Sequence, residues 1–381
     1  MNVLILCAAT GGGHIQASRA LKAGLEAKYQ GGRIEIVDGL NYISPMLDKT
    51  ISKGYLVLAK YLKRTYKVLY RLTDKHGAMA WLVEKLTAQF SNNLMPLINE
   101  FKPDIIITTH PFITGMVSTL KKRNKINSEV VCTMTDYEVH GSWIHKDVDI
   151  YSVAWDGMIQ PLIDRGISPE KVHSFGIPVN KKFFINCNED KKKLKEELGL
   201  DNDKITLLVM AGSFGVNNIK EIYEEIEQIP MEFQVVILTG NNDRLYGSLE
   251  KIVSRSSKKT RLIEFTNDVY RYMSMADILI TKPGGLTVSE ALASNLPFIL
   301  FDAIPGQEEA NAKFLIDNGM AISIGKGKGC KDKIEALLRD ENRLQELKKN
   351  CESFDKSKSI DRLVDTIDMD LRKEAAADIS E

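Results

Sequence analysis

Few of the signals that would place this 381-residue chain in a special class are present. The five cysteines, Cys7, Cys132, Cys187, Cys330 and Cys351, are scattered, with no CxxC pair and no Cys/His cluster. That excludes a disulfide framework and a cysteine-built zinc site, and reads as reduced thiols in the cytosol. Excess charge of either sign is missing too, because 51 Lys plus Arg balance 51 Asp plus Glu. Such a balance argues against a general polyanion binder, and no nucleic-acid partner is expected. No run reaches the roughly 18 apolar residues of a membrane span. The opening Met1-Asn2-Val3-Leu4-Ile5-Leu6-Cys7 is apolar but has no basic leader and runs straight into glycines, so it reads as a buried strand, not a signal peptide. What is present is 44% apolar residues, enough for two cores of ordinary size.

Short apolar runs alternate with amphipathic segments of helical length, the pattern of parallel βαβ units. Strands are expected at Val3–Ala8, Ile34–Val37, Asp104–Thr108, Val130–Met134 and Asp149–Val153, with helix across residues 46–100. Gly176-Ile177-Pro178-Val179 breaks the series, and a charged helix follows at 189–198. A second series is expected at Ile205–Met210, Gln234–Leu238, Leu262–Phe265, Asp277–Ile280, Phe298–Phe301 and Ala321–Ile324, then helices at about 333–351 and 357–374. The expectation is two doubly wound α/β halves, residues 1–175 and 176–353, with the last segment, 354–381, returning to the first half. Ligands of such sheets sit at the strand-to-helix loops beyond the carboxyl ends of the strands.

Three of those loops are rich in glycine. The first strand ends in Thr10-Gly11-Gly12-Gly13-His14 at the start of a helix, a place where backbone amides approach an anion closely. Gln16 occupies the place of the third dinucleotide glycine and no Gly-Lys-Ser/Thr follows, so NAD and Walker-type readings are weak. His14 there suits a general base, or else caps the helix. Gly212-Ser213-Phe214-Gly215 and Thr281-Lys282-Pro283-Gly284-Gly285 repeat the arrangement in the second half. Together the three turns point to a phosphate-bearing ligand. Glu290 is a lone carboxylate on an otherwise apolar helix and needs a partner such as a ribose diol.

Lys282-Pro283-Gly284-Gly285-Leu286-Thr287-Val288-Ser289-Glu290-Ala291 with Pro305-Gly306-Gln307-Glu308-Glu309-Ala310-Asn311 resembles the donor-site signature of glycosyltransferase family 28. Gly11-Gly12-Gly13-His14, Met134-Thr135-Asp136 and Trp143-Ile144-His145 are similar to its diacylglycerol branch, the processive diacylglycerol β-glucosyltransferases and monogalactosyldiacylglycerol synthases. The resemblance implies a GT-B fold, two Rossmann-like domains facing across a cleft, with the acceptor on the first and a UDP-hexose on the second. It implies that Glu290 holds the ribose and that Phe265 and Thr266 lie beside the uracil. Gly12, Gly13, Gly212, Ser213, Lys282, Gly284 and Gly285 would serve the donor, with Gln307 and Glu308 on sugar hydroxyls. His14 or Asp136 would be the base, with Trp143 and His145 near the acceptor. The implied reaction is inverting transfer of a hexose, glucose before galactose, to the 3-hydroxyl of 1,2-diacylglycerol. No metal or other cofactor is expected, and Asp147-Val148-Asp149 reads as structural.

The segment Lys49–Lys75 carries eight basic residues and one acid, Asp74, in a chain of zero net charge. Lys53, Tyr55, Lys60, Lys63, Arg64 and Lys67 are expected at an anionic leaflet, which places the protein peripherally on the cytoplasmic face of the membrane. Rival readings are N-acetylglucosamine transfer to a polyprenyl diphosphate, a UDP-sugar epimerase, and a non-catalytic UDP-sugar sensor. Nothing in the sequence speaks to oligomeric state.

Overall fold

A computed structural model describes residues 1–9, 12–45, 54, 62–74, 78–184, 188–210 and 218–380. The chain divides into two compact units, Met1–Val179 with Lys356–Glu381, and Asn180–Asp355. The first unit thus runs four residues past the expected join at 175.

In the first unit the order is β1 (Asn2–Cys7), α1 (Gly13–Lys28), β2 (Arg33–Asp38), α2 (Gly39–Ile43), α3 (Lys63–Asp74), α4 (Ala78–Phe90) and α5 (Met95–Phe101). Then come β3 (Ile105–Thr108), α6 (Pro111–Lys122), β4 (Glu129–Thr133), β5 (Ile150–Ser152), α7 (Ile159–Ile163) and β6 (Val172–His173). The six strands form one parallel sheet in the order β2-β1-β3-β4-β5-β6. Strand β6 was not foreseen, because two residues leave no apolar run to read. The buried Val3, Ile5, Ile107 and Val131 of the sheet share a core with Leu21 and Leu25 of α1.

The second unit holds α8 (Asn188–Glu197), β7 (Thr206–Met210), α9 (Asn218–Glu227), β8 (Gln234–Leu238), α10 (Asp243–Val253), β9 (Lys259–Ile263) and α11 (Val269–Met275). It continues through β10 (Ile278–Thr281), α12 (Gly285–Ala293), β11 (Phe298–Phe301), α13 (Gln307–Asp317), β12 (Ala321–Gly325), α14 (Lys331–Arg339) and α15 (Glu341–Ser353). Its parallel sheet runs β12-β11-β10-β7-β8-β9. Two sequence expectations need correction. Strand β9 starts three residues earlier than expected, since on this sheet edge it alternates, with Lys259 and Arg261 exposed and Thr260 buried. The single helix expected at 333–351 is two, because the Asp340 carboxylate accepts from Arg343 N at 2.9 Å and so caps a new start.

The last helix, α16 (Ser359–Ser380), belongs to the first unit. Its Ile360, Leu363, Val364 and Ile367 complete the core beneath α1. The two helices approach so closely that a Cβ on Gly24 would stand 2.3 Å from Ile360 Cγ2. Lys28 and Tyr29 at the end of α1 bond the Asp365 and Asp368 carboxylates of α16.

Both sheets reverse strand order once: between β1 and β3 in the first, and between β7 and β10 in the second. Ligands of open α/β sheets bind at such points, just beyond the carboxyl ends of the strands.

Candidate active site

At the reversal of the first sheet, the loop after β1 meets the loops after β3 and β4. Gly12 precedes α1 in the left-handed region, φ 77°, which a side chain would strain, and this sets His14 in the first turn of the helix. The His14 Nδ1 lies 2.5 Å from the carbonyl oxygen of Thr109 and 3.1 Å from Thr135 Oγ1. A carbonyl only accepts, so Nδ1 carries the ring proton and Nε2 keeps a free lone pair. Burial depresses the imidazole pKa to about 4, partly offset by the Thr109 bond, so the ring is neutral near pH 7. A second tether runs from Ser18 Oγ to His14 O at 2.8 Å and to Thr109 Oγ1 at 3.2 Å. This arrangement suits a base that takes a proton at Nε2.

Asp136, the other base candidate, is half-buried one residue beyond Thr135. Tyr70 has its pKa raised by burial first and by the Asp136 charge second, which places that carboxylate near Tyr70. Trp143 is 1% exposed, so its indole is core and not a surface waiting for an acceptor. The backbone N of His145 donates to Tyr151 Oη at 2.8 Å, and its ring Nε2 donates to Ser142 O at 3.2 Å. These two residues lock a loop rather than present themselves. The Asp149 carboxylate pairs with Lys121 and accepts from Val130 N at 2.8 Å.

At the reversal of the second sheet, Gly212 and Ser213 lie outside the described residues. The loop after β10 is described. Gly284 caps α12 without any side-chain bond, and a Cβ built on it meets nothing within 4 Å. That space lies at the N-terminal end of α12, where helix amides suit a phosphate. Lys282 is mostly buried and pairs with Asp302 at 3.5 Å. The buried Asn311 donates to Pro283 O at 3.1 Å and so ties α13 to the same loop.

The Glu290 pKa is raised to about 8 by burial alone. One Glu308 oxygen accepts from Ile304 N at 2.7 Å, so that carboxylate closes the 302–306 loop in addition to any sugar it meets. Gln307 begins α13. Phe265 is 57% exposed beyond β9, and Thr266 Oγ1 accepts from Asp268 N at 3.0 Å. Among the described residues no group of three or more His, Cys, Asp or Glu could hold a metal ion.

Of the expected leaflet residues, Lys53, Tyr55 and Lys60 lie outside the described residues, as does the Lys63 side chain. Arg64 is exposed and Lys67 half-buried on α3. Tyr66 and Tyr70 turn inward: Tyr66 is buried, and the Tyr70 ring packs against His140 with centroids 4.2 Å apart and planes tilted by 34°. The outer face shows Val68 (55% exposed) and Leu72 (50%) with Arg64 and Arg71, and Trp81 of α4 is 60% exposed under Lys85. Asp74 anchors the helix end, accepting from Gly141 N at 2.8 Å and pairing with Arg165 at 2.9 Å. No helix among the described residues is long and apolar enough to cross a membrane.

Sequence reasoning missed Thr109 and His110. Their signal was faint: Thr108-Thr109-His110-Pro111 stands at a strand-to-helix loop with proline in the first helical turn.

The family profile described as monogalactosyldiacylglycerol (MGDG) synthase matches residues 14–179, and that described as glycosyl transferases group 1 matches residues 190–354. A processive diacylglycerol β-glucosyltransferase of Bacillus licheniformis is 34% identical over 94% of this chain and 92% of its own length. Among solved structures, Acinetobacter baumannii MurG superposes with a TM-score of 0.65 at 14% identity, over 97% of this chain and 99% of that one. The S. aureus MnaA–UDP co-structure gives 0.67 at 14%, over 97% of both chains. Likeness at that identity speaks for the fold alone, and the fold is GT-B.

Proposed function

Since this chain belongs to the diacylglycerol glycosyltransferase family, we propose that it transfers a hexose from a UDP-sugar to the 3-hydroxyl of 1,2-diacylglycerol with inversion, glucose being the first donor to try. The observation that carries this reading is His14, a neutral imidazole whose Nδ1 proton is committed to Thr109 O and whose Nε2 is free to act. It lies in the unit that matches the lipid-branch profile.

In this reading Nε2 takes the proton of the glycerol hydroxyl as its oxygen bonds to the anomeric carbon. The bond from that carbon to the diphosphate breaks on the opposite face, and UDP leaves with the electron pair. The second unit supports departure: Lys282 and the N-terminal end of α12 meet the diphosphate charge, and Glu290 accepts from the ribose hydroxyls. Positive potential of this kind supports a metal-independent reading of the reaction. The acceptor is bilayer-bound, and the Arg64, Val68, Arg71, Leu72 and Trp81 face suits a peripheral seat on an anionic leaflet, the cytoplasmic one.

The test is to incubate the purified protein with diacylglycerol in anionic liposomes and, separately, UDP-glucose, UDP-galactose and UDP-N-acetylglucosamine, following UDP release and glycolipid mass. Hexosyl-diacylglycerol from one donor establishes reaction and sugar together, and a ladder of masses establishes repeated addition. Transfer from UDP-N-acetylglucosamine to a polyprenyl diphosphate instead would replace this reading. No turnover with any donor would favour a sensor of UDP-sugars.

A further inference from the structure

His110 takes no part in the proton transfer assigned to His14. It is 5% exposed, follows β3, and precedes α6. Its Nδ1 is buried and has no hydrogen-bond partner. Position alone would make it a helix cap, but it makes no side-chain cap bond. His140 shows what such a cap looks like, accepting from Ser142 N at 3.2 Å. His110 instead sets its ring edge-on to His14, centroids 4.8 Å apart and planes at 74°, and stacks on Phe112 at 5.7 Å. Burial, with the neighbouring His14 second, holds it neutral. A phenyl ring would fill the same space without stranding a nitrogen, so packing alone does not account for an imidazole here.

We propose that His110 is a substrate-binding residue of the same site, its Nδ1–H donating to the oxygen of the acceptor hydroxyl that His14 Nε2 deprotonates. This rests on the reading of His14 as the base. A hydroxyl has one proton and two lone pairs. It can therefore give its proton to His14 and accept from His110 while its remaining lone pair attacks the anomeric carbon. The imidazole N–H fixes which way the hydroxyl points. When the new C–O bond has formed and UDP has left, His110 still carries its own proton and His14 holds the one removed.

The experiment uses the full chain with UDP-hexose and diacylglycerol vesicles, comparing His110→Phe, His110→Asn and His110→Gln. Asparagine places an amide N–H close to the position of Nδ1, and glutamine places it one bond further out. His110→Phe is expected to lower kcat/KM for diacylglycerol about tenfold or more with the UDP Kd unchanged. His110→Asn should regain most of the loss, and His110→Gln should not. Full activity in His110→Phe, or equal losses in all three, would overturn the proposal.

Should a variant fail to fold, the ¹⁵N-histidine spectrum of the unaltered protein decides. The His110 Nδ1 resonance should move on adding short-chain diacylglycerol, and a fixed resonance would overturn the proposal. His14→Ala separates the two readings: full turnover there removes the base assignment whatever the His110 series shows.

Discussion

The proton on His14 is placed by a neutral oxygen. In a serine hydrolase a carboxylate both fixes the tautomer of the base and stabilises its charged form. The Thr109 carbonyl fixes the tautomer but adds no full charge, and burial pulls the pKa to about 4. A depressed histidine pKa means that the base form persists to lower pH. The acid limb of kcat should therefore fall below about pH 5, measured from pH 4.5 to 8. A limb centred near 6.5 would assign the proton transfer elsewhere.

Glu290 behaves in the opposite sense. With its pKa raised to about 8 it is mostly protonated at pH 7, and a ribose diol needs it as an acceptor. UDP binding at pH 7 should then release a proton, seen in calorimetry as a buffer-dependent enthalpy, and affinity should strengthen as pH rises through 8. Glu290→Gln should abolish the proton release, and a buffer-independent enthalpy would detach Glu290 from the nucleotide. Glu290 and the glycines were legible because they stand in a contiguous motif. Thr109 was not, because its bond to His14 spans 95 positions and no spacing announces it.

For helix α3, charge composition pointed to a leaflet through Lys63, Arg64 and Lys67. Of these Lys67 is half-buried, and the composition did not show Val68, Arg71 and Leu72 beside Arg64. The amphipathic register decides: Tyr66 and Tyr70 pack inward, while Arg64, Val68, Arg71 and Leu72 share the outer face. Reversing Arg64 and Arg71 to glutamate should release the protein from anionic vesicles, since each basic residue near such a surface contributes about 1 kcal/mol. Pelleting and its salt dependence would read this, and unchanged pelleting would return the helix to a purely structural role. Tyr70→Ala should instead lower thermal stability, as it removes the ring contact with His140. The strands most faithfully read are those buried on both faces, such as β8 and β11, with unbroken apolar runs. The edge strand β9 alternates and was misplaced for that reason.

Across the whole molecule, titratable imidazole is unevenly shared. All six histidines lie between His14 and His173, and residues 180–355 contain none. His14, His110, His140 and His145 all have pKa values lowered by burial. The unfolded chain, with ordinary values near 6.5, binds more protons than the folded one below that pH, so acid destabilises the fold they belong to. Calorimetry at pH 7.5 and 5.5 should show the first unit losing stability while the second is spared. Equal shifts in both would contradict this. The doubly wound halves and the returning last helix were readable from alternating runs and from the polar tail. The contact at Gly24 was not, and Gly24→Val should cost about 1–3 kcal/mol through overpacking against Ile360, read as a lower melting temperature.

That returning helix also sets an order of events during synthesis. Val3 and Ile5 leave the ribosome before residues 180–355, yet the side chains that cover them, Ile360 through Ile367, leave after those residues. Residues 180–355 can close their own core while the opening sheet still waits with one face bare. A chain stalled after Asp355 should resist protease across the second unit and yield across the first, so the sheet that is made earlier of the two closes its core later.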